Sequence, residues 1–232
     1  MSNERAVDRM PCPKCNSSDA NVLYEDGHSY CYSCKTRFTN SDEKQSRVVP
    51  MTTETSSTLK TSGSFGAIHD RKISKDTAKK YSTQIQQTGT TISHHIYRYF
   101  DGDGNHIANK VREVQGKKFW SEGNLSSAGL FGQNVFNQGG KFITVCEGEI
   151  DAMSAYELLG SKWPVVSIKN GAASALQNCK QAFNYLNGFE TVVLCFDNDE
   201  PGKEAAKQVA QIFEPNKCKI ISLELKDANE YL

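Results

Sequence analysis

The chain has 232 residues, of which 38% are hydrophobic, and its 27 basic residues balance 27 acidic ones. That length suits one substantial domain with a smaller one beside it, and no apolar run approaches the roughly eighteen residues of a membrane span. The polar start of the chain is unlike a secretory signal peptide, so we expect a cytoplasmic protein without membrane association.

Charge is unevenly distributed along the sequence. Residues 69 to 120 carry ten basic and five acidic side chains, whereas residues 141 to 232 carry nine basic and thirteen acidic ones. The pattern predicts a part that faces anions beside a part that binds cations.

Two Cys-x-x-Cys pairs stand near the start of the chain, with fifteen residues between them. The pairs are Cys12 with Cys15 and Cys31 with Cys34. This spacing lets four thiolates surround one Zn²⁺ ion, and so short a segment needs the metal in order to fold. The other four cysteines occur singly in apolar contexts, as buried thiols of a reducing compartment do.

The segment between the two cysteine pairs predicts a zinc ribbon over residues 1 to 40. Apolar and aromatic residues at 22 to 24 and 28 to 32 indicate two strands joined by a turn that contains Gly27. We expect Asp26 and His28 on the exposed surface of this ribbon. His28 has a simpler interpretation as an ordinary turn residue.

A polar segment follows at residues 41 to 64. It is rich in Ser, Thr, Glu, Gln and Lys and has no apolar periodicity, which indicates a disordered tether.

Residues 65 to 140 predict a basic α+β subdomain. Ser74 is a plausible N-cap for a helix, and residues 92 to 100 and 107 to 114 alternate as two strands of a hairpin. The second strand places Lys110 and Arg112 on one face.

A cluster of cations and aromatics follows this hairpin. Lys117, Lys118, Phe119 and Trp120 are consecutive, an arrangement that suits a nucleic-acid backbone with stacked bases. The alternative is a solvated strand face with both aromatic rings in the core.

Residues 141 to 232 alternate strand and helix, which predicts a mostly parallel sheet with flanking helices. The predicted elements in chain order are strand 142–146, helix 152–159, strand 164–168, helix 175–186, strand 191–196, helix 201–213 and strand 218–225.

Acidic residues follow the ends of these strands. Glu147 and Asp151 come after one strand, Asp197 and Asp199 after another, and Asp227 after the last. Acids at neighbouring carboxyl ends converge and need a hard cation between them, so the sequence predicts one or two Mg²⁺ ions for phosphate chemistry. The alternative is that they are ordinary acids favoured at helix N-termini.

The order of these motifs resembles the Toprim domain shared by DnaG-type primases, topoisomerases, OLD-type nucleases and RecR. The matching motifs are Glu-Gly-Glu-Ile-Asp from 147, Phe-Asp-x-Asp-x-x-Gly from 196 and Asp-Ala-Asn-Glu from 227. With the four-cysteine ribbon and the Lys-x-Arg strand, nearly the whole chain resembles the primase half of podovirus-type phage primase-helicases.

The resemblance implies a primase that synthesises short RNA primers from ribonucleoside triphosphates on a single-stranded DNA template. It implies that the ribbon recognises the template through Asp26 and His28, and that a fused or separate replicative helicase and a replisome polymerase are partners in the host cytoplasm. The implied catalytic residues are Glu147, Lys110, Arg112 and one of Lys117 or Lys118; the implied magnesium ligands are Glu147, Asp197 and Asp199, supported by Asp151 and Asp227.

The sequence departs from the family pattern in having no Gly-x-x-x-x-Gly-Lys-Ser/Thr loop, so we expect no helicase motor in this chain. Such a chain is a fragment, a shortened form, or a primase beside a separate helicase. The alternatives to a primase are a Toprim nuclease, a non-catalytic recombination mediator of RecR type, and a truncated pseudo-enzyme that only binds single strands.

Overall fold

The computed structural model describes residues 6–10, 12, 20–38 and 59–232. The chain forms two compact units, Met1–Thr55 and Ser56–Leu232.

The described part of the first unit is a four-stranded antiparallel sheet in the order β1-β2-β3-β4. Its strands are β1 (Ala6–Met10), β2 (Asn21–Tyr24), β3 (Ser29–Cys31) and β4 (Thr36–Phe38). The predicted hairpin is confirmed, because β2 and β3 pair across a turn in which Gly27 adopts φ 85°. The outer strands β1 and β4 were not predicted.

The second unit begins with the last residues of the segment predicted as a tether. Residues Thr61 and Ser64 are bound to the folded unit: Thr61 N donates to Glu122 at 2.9 Å, and Ser64 exchanges backbone hydrogen bonds with Ile85. The rest of that segment, 41–58, lies outside the described residues.

A short helix and an antiparallel sheet follow. Helix α1 (Lys75–Lys80) starts at Ser74, whose hydroxyl accepts from Thr77 N as an N-cap, as predicted. The sheet has the order β5-β6-β7-β8. Its strands are β5 (Gln84–Thr88), β6 (Thr91–Phe100), β7 (His106–Glu113) and β8 (Phe119–Gly123).

The remaining elements form a parallel sheet with helices, as predicted. In chain order they are β9 (Gly140–Cys146), α2 (Glu149–Leu158), β10 (Val165–Ser167), α3 (Ala175–Gln181), α4 (Phe183–Asn187), β11 (Phe189–Cys195), α5 (Glu200–Ala210) and β12 (Cys218–Ile220). The strand order is β10-β9-β11-β12, with every pair parallel.

One helix and one strand of this part of the chain differ from the sequence prediction. The single helix expected over residues 175 to 186 is two helices, because the backbone at Ala182 (φ −92°, ψ 12°) leaves the helical conformation. The last strand ends at Ile220 instead of residue 225, and Asn198 N then donates to Lys226 O at 2.7 Å. That bond brings the segment before Asp227 to the end of β11.

The core joins the two sheets of the second unit. Tyr97, Tyr99 and Phe131 pack in one buried cluster with Met153 of α2, and the hydroxyl of Tyr81 donates to Val165 O at 2.8 Å. Burying each large apolar side chain stabilises the fold by about 1.5–3 kcal/mol. The cluster therefore holds β7 beside the carboxyl end of β9.

Candidate active site

Two neighbouring parallel strands end at the same level of the sheet. Cys146, the last residue of β9, is in register with Cys195, the last residue of β11. Glu147 directly follows the first of these cysteines and Asp197 follows the second after one residue. The predicted convergence of acids from the two strands is therefore present.

Only one of the two carboxylate oxygens of Glu147 accepts a hydrogen bond from the described residues. Its Oε1 accepts a hydrogen bond from Ala172 N at 3.0 Å. Its Oε2 is buried and has no hydrogen-bond partner among the described residues. A buried carboxylate oxygen without a donor is unfavourable, and a bound cation would satisfy it.

Asp151 and Asp197 lie where ionisation is difficult. Burial, then the charges of Asp227 and Asp197, raises the pKa of Asp151 to about 7. Burial, then the charge of Glu147 and those of other acids, raises the pKa of Asp197 to about 6. Mutual repulsion of this kind is what a divalent cation relieves.

The carboxylates of this site lie close enough to repel one another. They are not clustered as tightly as ligands around a bound metal ion. Among the described residues, the one group of three candidate ligands within 4.8 Å of each other is formed by cysteines, not by these acids. Oxygen donors from two strand ends, with water and phosphate oxygens completing the shell, suit Mg²⁺. The donor set fits a divalent ion.

Asp199 and Asp227 also cap helices. Asp199 caps α5 by accepting from Gly202 N at 2.8 Å, and Asp227 caps the short terminal 3-10 helix by accepting from Glu230 N at 3.1 Å. The alternative interpretation of acids as caps is thus correct for one oxygen of each, while both charges still raise the pKa of Asp197.

Two glycines allow the chain to pack closely against the acids of this site. A Cβ on Gly202 would stand 2.3 Å from Asp197 O, and a Cβ on Gly148 would stand 2.6 Å from an Asp151 carboxylate oxygen. At Gly202 the neighbouring atom belongs to the backbone and cannot move aside, so a glycine is required there. At Gly148 the neighbour is the end of the Asp151 side chain, so a Cβ there would displace that carboxylate.

The basic strand β7 faces the acids across a pocket of about 220 Å³. Lys110 and Arg112, alternate residues of β7, both line it, which confirms that they share a face. The Nε of Arg112 is buried without a hydrogen-bond partner in the described chain. The pocket thus offers cations opposite carboxylates, the arrangement that a metal-bound triphosphate requires.

Lys117 and Lys118 lie elsewhere. They are exposed in the turn between β7 and β8 and do not line the pocket, and Lys117 has a positive φ of 50°. The next residue, Phe119, does line it. The catalytic role expected for one of these two lysines stays a prediction.

Lys110 is held by a buried network that no sequence pattern indicated. Its Nζ lies 2.8 Å from Glu149 Oε1 and donates to Lys169 O at 2.7 Å. The same Glu149 oxygen accepts from the Tyr99 hydroxyl at 2.6 Å. Burial, then the charge of Glu149, raises the pKa of Tyr99 well above its ordinary value, so this hydroxyl stays protonated and donates.

The network predicts that Glu149 positions Lys110. In Glu149→Gln the amide oxygen still accepts from Tyr99, but the ionic partner of the ammonium is lost. For the nucleotide joining that the family resemblance implies, we expect kcat to fall by about ten- to a hundredfold, as it does when a catalytic group is misplaced. The KM for the nucleotide should not rise, because the pocket keeps its positive charge. Steady-state kinetics check this split.

The matched control is Glu190→Gln, an exposed acid near the start of β11, far from the strand end that carries Asp197. Its kinetics should equal those of the wild type. A Glu149→Gln variant with unchanged kcat and a raised KM would contradict the positioning role.

The raised pKa values predict how stability depends on pH in metal-free protein. The folded-state pKa values of Asp151 and Asp197, about 7 and about 6, exceed the ordinary value of 3.8. The folded state therefore binds more protons than the unfolded state between these values, and stability falls as pH rises through that range.

We expect Mg²⁺ to raise the thermal midpoint more at about pH 8 than at about pH 5, since protons compete with the cation at low pH. Thermal unfolding in chelator and in Mg²⁺ at both pH values measures this. An equal Mg²⁺ effect at both would show that these carboxylates do not bind the ion.

In the first unit, three of the four predicted cysteine ligands are together. The sulfurs of Cys12, Cys31 and Cys34 lie within 4.8 Å of one another, and Cys12 Sγ is 3.7 Å from Cys34 Sγ. A tetrahedron with Zn–S bonds of about 2.3 Å has S···S edges of about 3.8 Å. The geometry fits a metal-thiolate site; the fourth predicted ligand, Cys15, lies outside the described residues.

The expected exposure of His28 is wrong. The residue is buried, and its ring stacks on Tyr24 with centroids 4.6 Å apart and planes at 11°. Its Nδ1 contacts the carboxylate of Asp26. Asp26 itself is exposed, and a hydrogen bond from the His28 backbone lowers its pKa. The aromatic stacking removes His28 from solvent, so Asp26 is the accessible member of the pair.

None of the helices in the described part of the chain is long and apolar enough to cross a bilayer.

Comparison with known proteins places this geometry in context. A family model described as Toprim-like matches residues 144–232. The DNA helicase/primase of Enterobacteria phage T3 is 33% identical over a 229-residue alignment, which covers 95% of this chain and 40% of the relative. The chain thus spans about two fifths of the length of that relative.

Two solved structures are also similar. The primase fragment of the bacteriophage T7 primase-helicase is 35% identical, with a TM-score of 0.69 over 97% of this chain and 94% of that one. A chain in a structure of the T7 lagging-strand DNA polymerase with primase domains bound to an RNA/DNA hybrid and dTTP is 38% identical, with a TM-score of 0.64 over 72% of this chain and 83% of that one.

Proposed function

We propose, on the premise that this chain belongs to the primase family of the T7-type phage primase-helicases, that it synthesises short RNA primers on single-stranded DNA. The observation that carries the proposal is the pocket in which Glu147 and Asp197 face Lys110 and Arg112. The buried Oε2 of Glu147, which has no hydrogen-bond partner in the described part of the chain, supports a cation at this place.

Glu147, Asp197 and Asp199 would hold one or two Mg²⁺ ions, with Asp151 and Asp227 supporting them. Bound there, such ions orient a triphosphate and neutralise the charge that develops on the transferred phosphoryl group. The pKa values of Asp151 and Asp197 make the charged acids costly without a cation, which favours this assignment.

The basic side chains would act on the nucleotide phosphates. Among the described residues, the buried Nε of Arg112 has no acceptor, and its planar guanidinium suits phosphate oxygens. Lys110, held by Glu149, contributes a positioned ammonium as the bond to pyrophosphate breaks and the 3′-oxygen bonds to the α-phosphorus. Glu147 is the proposed acceptor of the 3′-hydroxyl proton. Lys117 or Lys118 would contribute from the neighbouring turn.

The first unit would bind the template. Four cysteines, Cys12, Cys15, Cys31 and Cys34, would hold one Zn²⁺, and three of them already have the sulfur spacing it needs. Asp26 offers an exposed acceptor for base edges, and His28 would act by holding Asp26 in place. The T7 primase domains were solved with an RNA/DNA hybrid, which supports nucleic-acid binding by the present chain as a whole.

The proposed partners are a single-stranded DNA template, ribonucleoside triphosphates, a replicative helicase and a DNA polymerase of the replisome, in the host cytoplasm. The polymerase follows from the T7 complex, in which primase domains and a polymerase occur together.

The test is incubation of the purified protein with random single-stranded templates, labelled ribonucleoside triphosphates and Mg²⁺. We expect short labelled RNA that depends on both template and nucleotides. A Toprim nuclease would instead shorten the DNA when no nucleotide is present. A mediator of RecR type or a pseudo-enzyme would bind the strand and yield neither product, and either result would overturn the proposal.

A further inference from the structure

One aromatic ring at the rim of the pocket has no evident role in holding the fold together. Phe119 is 54% exposed, yet it lines the same cavity as Glu147, Asp197 and Arg112. Single exposed apolar residues are common on protein surfaces. This ring, however, stands beside the charged groups of the candidate active site, with more than half of its surface uncovered and available to a ligand.

The register of β8 separates Phe119 from its aromatic neighbour. Phe119 pairs with Arg112 of β7, and Trp120 pairs with Val111. Successive strand residues point to opposite faces, so the two rings lie on opposite sides of the sheet. Trp120 meets His94 edge-on, with centroids 5.6 Å apart, and does not line the pocket. Of this pair, Phe119 alone faces the acids.

Two cations lie against the Phe119 ring. Lys110 Nζ is 5.6 Å and Arg112 Cζ is 5.5 Å from the ring centroid, within the range of a cation–π contact. The same two cations are the proposed ligands of the triphosphate. The ring therefore sits next to the phosphate-binding groups, with more than half of its surface open to solvent.

A flat aromatic surface beside two cations is complementary to a nucleotide, which has a flat base and negatively charged phosphates. Aromatic side chains stack on any base, because every base has a π-face, and basic groups nearby take the phosphates. We propose that Phe119 is the stacking platform for the base of the incoming ribonucleoside triphosphate. This inference rests on the proposed function and adds to it a binding subsite for the base.

The experiment compares Phe119→Ala, Phe119→Leu and Phe119→Trp with the control Phe142→Ala. Phe142 is a similarly exposed phenylalanine, at 43%, and lies outside the pocket. Losing a base–aromatic stack should raise the KM for the nucleotide by about five- to a hundredfold in the Ala and Leu variants. The Trp variant should stay near the wild type. Thermal midpoints should change little, because the ring is exposed.

A second measurement reads binding without catalysis. The fluorescence of the ribonucleoside triphosphate of 2-aminopurine should be quenched on binding to the wild type and the Trp variant, and much less on binding to the Ala and Leu variants. The wild type quenching this probe while making no primers would refute the proposed function and leave the base platform standing.

Two results would overturn the platform itself. One is an unchanged nucleotide KM and unchanged quenching in Phe119→Ala alongside normal primer synthesis. The other is a raised KM for the DNA template with an unchanged KM for the nucleotide, which would assign Phe119 to a template base.

Discussion

We expect the Asp197→Asn variant to lose primer synthesis by at least about a hundredfold in kcat, the scale of losing a main electrostatic element of a phosphoryl-transfer site. Asn is nearly isosteric with Asp but supplies no negative charge, so it holds a divalent cation poorly. The loss should appear in single-turnover assays with saturating nucleotide and template, since the substitution leaves Lys110 and Arg112, the proposed substrate contacts, unchanged.

The same substitution should not destabilise the metal-free protein. Asp197 has a raised pKa, so its charged form is unfavourable in the fold without a cation. Removing that charge should leave the thermal midpoint in chelator equal or higher at about pH 8. This pairing of lost activity with retained stability separates a metal ligand from a structural residue.

The control is Asp103→Asn, an exposed acid in the turn between β6 and β7. It should keep full activity and the wild-type Mg²⁺ dependence. Primer synthesis by a folded Asp197→Asn variant at the wild-type rate would remove Asp197 from the catalytic site.

The second large effect is expected from Cys31→Ser. Cys31 is completely buried and its sulfur lies with those of Cys12 and Cys34. Structural zinc in small domains contributes about 10–16 kcal/mol of binding free energy to folding, so losing one ligand should unfold the first unit. We expect zinc content to fall from about one ion per chain to near none.

The two units should respond differently to that substitution. Template-dependent synthesis should fall to near background, because the proposed template-binding unit no longer folds. Limited proteolysis should digest the first unit and leave the second unit, Ser56–Leu232, protected.

Cys218→Ser serves as the matched control, since Cys218 is a half-buried cysteine on β12, outside the first unit. It should retain zinc and activity. A Cys31→Ser protein with full zinc content and an intact first unit would refute the zinc assignment.

The candidate site explains why a stable fold keeps an unfavourable group of acids. The chain supplies four inward carboxylates around one pocket, namely Glu147, Glu149, Asp151 and Asp197. Glu149 is neutralised by Lys110 at 2.8 Å. The others have no such cation among the contacts described, and two of them have raised pKa values. Electrostatic repulsion of this kind is typical of functional sites, and the proposed divalent cation would supply the missing positive charge.

Much of this protein was predictable from local sequence. The alternation of apolar runs and helical segments predicted the parallel sheet, because periodicity is a property of neighbouring residues. The placement of Glu147 and Asp197 at adjacent strand ends followed from that topology. The resemblance to phage primases is confirmed by the T7 fragment at 35% identity, whereas the roles of individual site residues stay predictions.

Other features depended on contacts between distant residues. Glu149 looks in sequence like an ordinary acid in the first turn of α2; its partner Lys110 is on β7 and Tyr99 is fifty positions away. In sequence, His28 resembles an exposed turn residue, but in the fold its ring stacks on Tyr24 and is buried.

The sequence by itself thus determined the alternation of strands and helices over residues 141–232, the acids at the strand ends and the cysteine spacing, since each depends on residues close together in the chain. Only the tertiary structure decided that Lys110 is paired with Glu149 and that Phe119, not Trp120, faces the pocket. Those outcomes depend on strand register and on the packing of the antiparallel sheet against α2, which no local pattern encodes.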